Sequence, residues 1–363
     1  MRGKIRLGIL GAGGILGAHG PALRSAADRC VVAAVAEPDA AKHHRARAIL
    51  GEGVAFYRDY GELLAAADVD AVDILLPHDL HMPATIAAAK AGKGVLVEKV
   101  MARNIHECDR MIEACEAAGV SLTVCHDRRY HSHFIALKDV VDSGLLGEIH
   151  FWKLDHNQDV NPAGCLPWAA SRDRLGGGAI MSCLTHQIDV LRFCGGAVES
   201  VACMTKVIPE RMEGESIGVI AARMASGAVA ALAINWVTRS NDGGPNSLWY
   251  EMVHVCGARG EAYYMTGRGT FARLHDGTDL AAHFDIDGPA GPTGFAKIRS
   301  DDTPGHARCI SEWLNMLLGR EHCITTTGRD ARATVEVAEA AYISERTGRE
   351  VRLPITPAPW QSS

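Results

Sequence analysis

The stretch Lys4-Ile5-Arg6-Leu7-Gly8-Ile9-Leu10-Gly11-Ala12-Gly13-Gly14-Ile15-Leu16-Gly17 decides how the first third of the chain is read. Ile5–Leu10 is an apolar run, as expected of a strand buried on both faces of a parallel sheet. The glycines that follow punctuate the passage from strand to helix. Comparable apolar runs recur at Val31–Ala36, Ala71–Leu76, Gly94–Val97 and Val120–Val124. Between them lie alanine-rich helical stretches: Ala40–Leu50, Tyr60–Ala67, Met82–Ala91 and Ile105–Ala118. Strand and helix alternating at this spacing predict βαβ units and a doubly wound parallel sheet, an α/β Rossmann arrangement.

After Asp127 the rhythm changes. A helical stretch, Phe134–Ser143, ends at Gly144, and strand patterns then follow one another at Glu148–Asp155, Glu199–Ile208, Ser216–Met224, Ala228–Val237 and Trp249–Gly257. Their alternating polarity predicts a large, mostly antiparallel open sheet. His306–Leu318 and Arg329–Thr347 read as helices, the second closed by Gly348 as its C-terminal glycine. The expected organisation is residues 1–125 as a dinucleotide-binding domain and 126–363 as an α+β domain for substrate binding and oligomerisation.

Composition narrows the function classes. The 363 residues are 47% hydrophobic and 22% charged, with a formal net charge of −6. That is the balance of a folded protein, and no basic cluster recommends nucleic acid or an anionic membrane as partner. No apolar stretch reaches the roughly 18 residues of a membrane span, and the run after Arg2 and Lys4 is too short for a signal peptide. Eleven cysteines, an odd number without a C-x-x-C pair, read as reduced, buried thiols of a cytoplasmic protein. His43-His44 and His131-Ser132-His133 lack ligand partners at metal spacing and read as solvated helix-face histidines, so no metal is expected.

A glycine loop between a strand and its helix lets backbone N–H groups approach a pyrophosphate. Gly11 suits the tight turn, Gly13 the close approach, and Gly14 and Ile15 the helix entry, although Leu16 occupies the third glycine position of G-x-G-x-x-G. Glu37 ends the second strand, where a carboxylate accepts from ribose hydroxyls and repels a 2′-phosphate. NAD is expected over NADP, with Lys42 and Arg45 in the next helix as the cations that would speak for NADP. Glu98-Lys99 closes the run Gly94–Val97 at the carboxyl edge of the sheet, where a lysine can act on a substrate hydroxyl. Further on, Gly176-Gly177-Gly178 would let the chain approach the cofactor closely, and Ser182, His186 and Asp189 share one helix face.

Taken together, these residues resemble the Gfo/Idh/MocA oxidoreductases, which act mainly on sugars and cyclitols. The glycine loop with His19, Pro77-His78-Asp79-Leu80-His81, Ala91-Gly92-Lys93, Glu98-Lys99, His126-Asp127-Arg128-Arg129-Tyr130 and Gly144–Ile149 are similar to that family's motifs and in its order. The resemblance implies Lys99 and His186 as proton-transfer residues around an oxidised hydroxyl, without saying which is the base. It implies Gly11, Gly13, Gly14, Ile15, Glu37, Pro77, His81, Glu98 and Lys99 for the cofactor. His126, Arg129, His156, Trp168, Arg172, Ser182, His186 and Lys99 are expected to face the carbohydrate, with Arg239 as a weaker candidate.

Three departures matter. Ser182 stands where the family usually has Asp, Val100 replaces a proline, and His78 and Asp127 replace asparagines. Two chemistries therefore remain open. One is net oxidation of a secondary hydroxyl. The other is an oxidoreductive glycosidase that oxidises C3 transiently, eliminates the aglycone, adds water and reduces the ketone again, for which an acidic or sulfonated sugar would suit Arg172 and Arg174. A homodimer or homotetramer is expected from the open sheet.

Overall fold

The computed structural model describes residues 3–237, 249–301 and 303–356, and Arg239 lies outside them. The chain divides into two compact units, one holding residues up to Tyr130 together with Thr303–Ala333, the other holding residues 131–301 and the segment from Thr334 onward.

In the first unit β1 (Ile5–Leu10), α1 (Leu16–Ser25), β2 (Cys30–Ala36), α2 (His43–Leu50), β3 (Ala55–Tyr57), α3 (Tyr60–Ala66), β4 (Ala71–Ile74), α4 (His78–Lys90), β5 (Gly94–Glu98), α5 (Ile105–Ala118) and β6 (Leu122–Cys125) follow in turn. The six strands form one sheet in the order β3-β2-β1-β4-β5-β6, every pairing parallel. The order reverses beside β1, and in such sheets ligands bind at that switch point. Leu7, Ile9, Ile74, Leu96 and Val97 are fully buried, which is why these strands read as apolar runs rather than alternating ones. The edge strand β3 has no such signature, being three residues long and only partly covered. α4 opens at His78, four residues before the expected start, with Pro77 as its cap and Pro83 inside it.

The second unit opens on α6 (Ser132–Asp142) and β7 (Ile149–Gln158). The segment after β7, which carries no strand or helix pattern in the sequence, forms three four-residue helices, α7 (Pro162–Cys165), α8 (Pro167–Ala170) and α9 (Arg172–Leu175). Each begins with a residue suited to a first turn, two of them with proline. A π-helical turn, Ile180–Leu184, runs into α10 (Thr185–Gly195). Then come β8 (Val198–Val207), β9 (Glu215–Met224), β10 (Val229–Asn235), β11 (Trp249–Gly257), β12 (Gly260–Met265), β13 (Gly269–Leu274), β14 (Ala296–Ile298) and, after two helices, β15 (Val351–Arg352).

These strands form a nine-stranded sheet ordered β14-β13-β12-β11-β7-β10-β9-β8-β15. It is antiparallel except where β7 and β10 run side by side. β12 and β13 escape the polarity pattern because Tyr263 and Phe271, stacked at 5.0 Å, lie on the face opposite the buried Ala262 and Ala272. Burial alternates along both strands, but the outer face mixes those aromatics with the Glu261–Arg273 pair, so polarity does not follow it.

The two late helices are α11 (Gly305–Leu317) and α12 (Gly328–Thr347). α11 belongs to the first unit, where Cys309, Ile310, Trp313 and Leu314 join the core of Leu7, Ile9, Leu23 and Tyr130. The boundary between units falls within α12. None of the eleven cysteines is in a disulfide, but Cys165 and Cys323 are exposed and Cys183, Cys203 and Cys256 half-buried rather than buried.

Candidate active site

The glycine loop is held rigidly on its inner side and open on its outer side. Gly11 has φ +98°, and a Cβ there would lie 2.6 Å from the Leu75 carbonyl oxygen, so only glycine fits. At Gly13 and Gly14 a Cβ would meet nothing within 4 Å, which leaves the room that a pyrophosphate at this turn needs. Leu16, at the missing third glycine, is fully buried in the unit's core. Gly20 does the close packing instead, since a Cβ there would sit 2.1 Å from Ile49. Ile15 caps α1 without a side-chain hydrogen bond.

Glu37 is buried and braces this loop, accepting from Ala12 N–H at 2.9 Å and Asp39 N–H at 3.0 Å, with Lys42 Nζ at 3.2 Å. Arg45 donates to the carbonyl of Gly13 at 3.0 Å. The two cations that could have met a 2′-phosphate are thus engaged, one with the very carboxylate that repels it. His43, expected to be solvated, stacks on Phe56 and contacts the Glu37 carbonyl.

At the carboxyl edge of the sheet, Pro77 caps α4 and His81 is fully buried. The His81 ring nitrogens lie 2.9 Å from Val100 O and 2.8 Å from Leu76 O. His81 therefore braces two edge loops, and burial lowers its pKa. Glu98 ends β5 and Lys99 follows, half-buried, with its backbone N–H donating to Glu98 Oε2 at 3.1 Å. The Lys99–Val100 peptide is cis. Burial works against ionising Glu98, but His19 and, further off, His306 and Lys99 outweigh it and draw the pKa down to about 2. Asp127 responds in the same way, with Arg128, His306 and Lys99 bringing it to about 2. His126 is buried beside it. Arg129 is also buried, and its guanidinium goes to Thr325 O at 3.0 Å and Asp330 at 2.7 Å.

In the second unit, His186 lies in the first turn of α10 and is 5% exposed. Its ring runs parallel to that of His156, with 6.2 Å between centroids and 7° between planes. His156, fully buried on β7, faces Glu251 directly across the strand pair. Its Nδ1 is 3.3 Å from Glu251 Oε1, which also accepts from Gln187 at 3.1 Å. A carboxylate is therefore present behind the two imidazoles, supplied by Glu251 rather than by position 182. Ser182 sits half-buried in the π turn, so it does not share the helical spacing of His186 and Asp189 as the sequence suggested. Asp189 faces inward and accepts from Thr334 at 3.1 Å. Trp168 is half-buried on α8, and Arg172 is exposed at the start of α9.

The triple glycine requires a correction. A Cβ at Gly177 would lie 2.2 Å from Tyr342 Oη, and one at Gly178 would lie 2.4 Å from the Glu215 backbone. These glycines make room for the unit's own side chains. Tyr342 Oη accepts from Gly178 N–H at 3.0 Å and Met181 N–H at 3.2 Å and donates to Glu215 Oε1 at 2.8 Å, while Ile180 N–H gives to the same carboxylate at 2.9 Å. Together the pair caps the helical segment that leads into His186.

Sequence reasoning missed Glu251, Tyr342, Glu215 and His306. Glu251 left a signal, because it falls in phase with the inward-facing Val253 and Val255 of β11, where a charge demands a partner. The other three left none.

Residues 5–126 match the model of an oxidoreductase family with an NAD-binding Rossmann fold, and residues 134–263 match a GFO/IDH/MocA C-terminal domain. Similar proteins include a D-apiose dehydrogenase of Paraburkholderia graminis, 26% identical across 82% of this chain and 76% of its own length. An inositol 2-dehydrogenase of Rhizobium meliloti is 26% identical over 96% and 99% respectively. Among solved structures, the WlbA dehydrogenase of Bordetella pertussis, in complex with NADH and UDP-GlcNAcA, has a TM-score of 0.80 at 25% identity, covering 97% of this chain and all 100% of that one.

Proposed function

Because the chain belongs to the Gfo/Idh/MocA oxidoreductase family and carries its NAD-binding Rossmann domain, we propose that it oxidises one secondary hydroxyl of a sugar, sugar derivative or cyclitol. NAD supplies the hydride acceptor, nicotinamide C4. The residues that would hold it are the open turn at Gly13 and Gly14, Ile15 at the helix entry, Glu37 for the adenosine ribose, and the edge formed by Pro77, His81, Glu98 and Lys99. Lys99 and His186 are the groups that handle the hydroxyl: one removes its proton, the other steadies the charge that grows on oxygen. The observation that carries this reading is Lys99 directly after β5, at the carboxyl edge of the parallel sheet, with its backbone N–H held by Glu98 Oε2. Trp168 would stack on the sugar ring, Arg172 would meet an anionic substituent, and Ser182 and His126 would hydrogen-bond hydroxyls.

A second reading is favoured by one observation, the extra imidazole of His156 parallel to His186 with Glu251 behind it. Cleavage of a glycoside through a C3 ketone needs a group to take the C2 proton and another to protonate the departing aglycone oxygen. Water then adds at C1 and the hydride returns to C3, so the redox balance is zero. Incubation with NAD and a panel of glycosides and free sugars, following absorbance at 340 nm and aglycone together, separates the two. Net NADH supports the dehydrogenase; aglycone without net NADH replaces it with the second reading. Neither signal, despite tight NADH binding, refutes both.

Self-association is part of the same proposal. Met204, Val219 and Val229 are 80%, 50% and 43% exposed on neighbouring strands of the open sheet, an apolar face that suits a second copy of the chain. Among the described residues no helix is long and apolar enough to cross a membrane.

A further inference from the structure

The outer face of the nine-stranded sheet carries a cluster of metal-ligating side chains that the reaction proposed above does not use. Along β11 the burial alternates. Glu251, Val253 and Val255 face inward, where Glu251 meets His156, and the half-buried His254 and Cys256 face the other way. Glu261 on β12 lies directly across from Cys256 and so diagonally from His254, within side-chain reach of both. His254 Nε2 is 2.9 Å from Glu261 Oε2 and 3.5 Å from Cys256 Sγ, and the three donor atoms lie within 4.8 Å of one another.

The geometry points to a site for a zinc-type divalent ion held by His254, Cys256 and Glu261, with a fourth position left to water. A thiolate, an imidazole and a carboxylate are the donor set that selects zinc over magnesium or calcium. With bonds of about 2.0–2.1 Å to nitrogen and oxygen and about 2.3 Å to sulfur, a tetrahedral ion holds nitrogen and sulfur about 3.6 Å apart and nitrogen and oxygen about 3.3 Å apart. The first separation is already in place. The second requires the contact between His254 and Glu261 to open by only about 0.4 Å. The hairpin supplies this order, two ligands at alternate residues of one strand and the third from its paired neighbour. The sequence spacing hides the set for the same reason.

The surroundings suit such an ion. Arg273 donates to Glu261 Oε1 at 2.5 Å and leaves Oε2 turned to His254, which orients the carboxylate as an outer partner of a metal ligand does. Arg273 is itself held over the Phe295 ring and by the Thr293 carbonyl. Lys153, opposite His254 on β7, is paired with Asp155 at 3.4 Å. Burial and the charge of Glu261 push the Cys256 thiol up, so binding sends its proton to solvent as the sulfur–metal bond forms, with no change of oxidation state.

The donor atoms of His19, Glu98, Cys125 and His306 in the first unit are equally close, but protons fill that cluster. His19 Nδ1 is 2.8 Å from Asp73 Oδ2 and Nε2 is 2.8 Å from Glu98 Oε1. Ionised carboxylates only accept hydrogen bonds, so both ring nitrogens are protonated and neither is bare for a metal. The Cys125 thiol is pushed well up by its hydrogen bond with Cys309 and by burial.

The test takes the full chain, reduced and stripped with chelator, and titrates it anaerobically with Co2+ and then with Zn2+. One equivalent of cobalt should give the visible bands of a four-coordinate ion together with a thiolate-to-cobalt charge-transfer band, and one equivalent of zinc should abolish both. Cys256→Ser should lose the charge-transfer band. His254→Gln and Glu261→Gln should each weaken zinc binding at least tenfold, the smallest effect of disturbing even an outer partner of a ligand. All three variants should bind NADH as the parent does, because these side chains face away from Glu251; that titration also shows that each is folded. A parent protein without the charge-transfer band overturns the proposal. So does a Cys256→Ser protein that keeps the band, since the sulfur then belongs to another thiol, and so does a His254→Gln protein that binds zinc as tightly as the parent. None of these outcomes depends on the reaction assigned to Lys99 and His186.

Discussion

Replacing Tyr342 with Phe deletes one oxygen and breaks three hydrogen bonds at the start of the segment that carries His186. Gly178 and Met181 lose the acceptor of their N–H groups, and Glu215 loses a donor 2.8 Å away. Each buried group left without a partner costs about 1–3 kcal/mol. The first helical turn can relax, and Ile180 N–H still reaches Glu215, so we expect about 3 kcal/mol in all. For a domain of this size that lowers the melting temperature by about 6–12 °C. Glu215→Gln is the contrasting variant, because an amide oxygen can accept the same two hydrogen bonds. Burial raises the Glu215 pKa above its ordinary 4.5. A raised carboxyl favours the protonated form, so its contribution is complete below pH 4.5 and fades as pH rises through the folded-state value. At pH 8 Glu215→Gln should melt no lower than the parent protein. Differential scanning fluorimetry at pH 8 measures both. A Tyr342→Phe protein melting within about 2 °C of the parent would refute the reasoning, since the glycines at 177 and 178 would then be serving something other than this cap.

Three other outcomes are expected. Glu37→Ala removes the brace of the Ala12 N–H as well as the ribose acceptor, and should weaken NADH binding by tenfold or more in a fluorescence titration. Between pH 4.5 and about 2, protonation of Glu98 should cost roughly 3 kcal/mol of stability. Its pKa is depressed, so the contribution is present above 4.5 and lost below, while His19 stays charged throughout this window; urea midpoints at pH 5 and pH 2.5 should differ in the parent protein and far less in Glu98→Gln. Val219→Asp, placed in the exposed apolar face of β9, should reduce the particle mass seen by light scattering without lowering the melting temperature of the domain, and an unchanged mass argues against self-association through that face.

What the sequence disclosed was what local pattern can carry. The buried parallel strands were legible because burial on both faces writes an apolar run, and α5 was legible to the residue because Asn104 caps it through Glu107 N–H and Gly119 closes it in the left-handed region. The short edge strand β3 wrote no such pattern, and in β12 and β13 aromatics share the outer face with Glu261 and Arg273 and blur it. The membership of α11 in the first unit was invisible for a different reason, since an amphipathic helix states which face it buries and not which core receives it. Lys99, His186 and Glu37 could be named from motif order, but the side chains that hold a buried group in place lie far off in the chain. Asp73 and Glu98 are 54 and 79 residues from His19.

The two glycine runs show where such reading stops. Gly11–Gly14 and Gly176–Gly178 both stand before helices, and both suggested a backbone stripped bare for a ligand. The difference lies in what a methyl group would strike. At Gly13 and Gly14 it would strike nothing, whereas at Gly177 and Gly178 it would strike Tyr342 and Glu215. An empty direction leaves room for something from outside, as it also does at plain surface turns such as Gly51 and Gly119, whereas a filled one is already satisfied by its own chain. By the same criterion the carboxylate that Ser182 withholds need not be missed. Glu251 lies on the opposite strand, 3.3 Å from His156, whose ring runs parallel to that of His186, so a carboxylate stands beside the histidine pair although position 182 lacks one. A motif records one route by which a charge reaches a site, and the sheet has provided another.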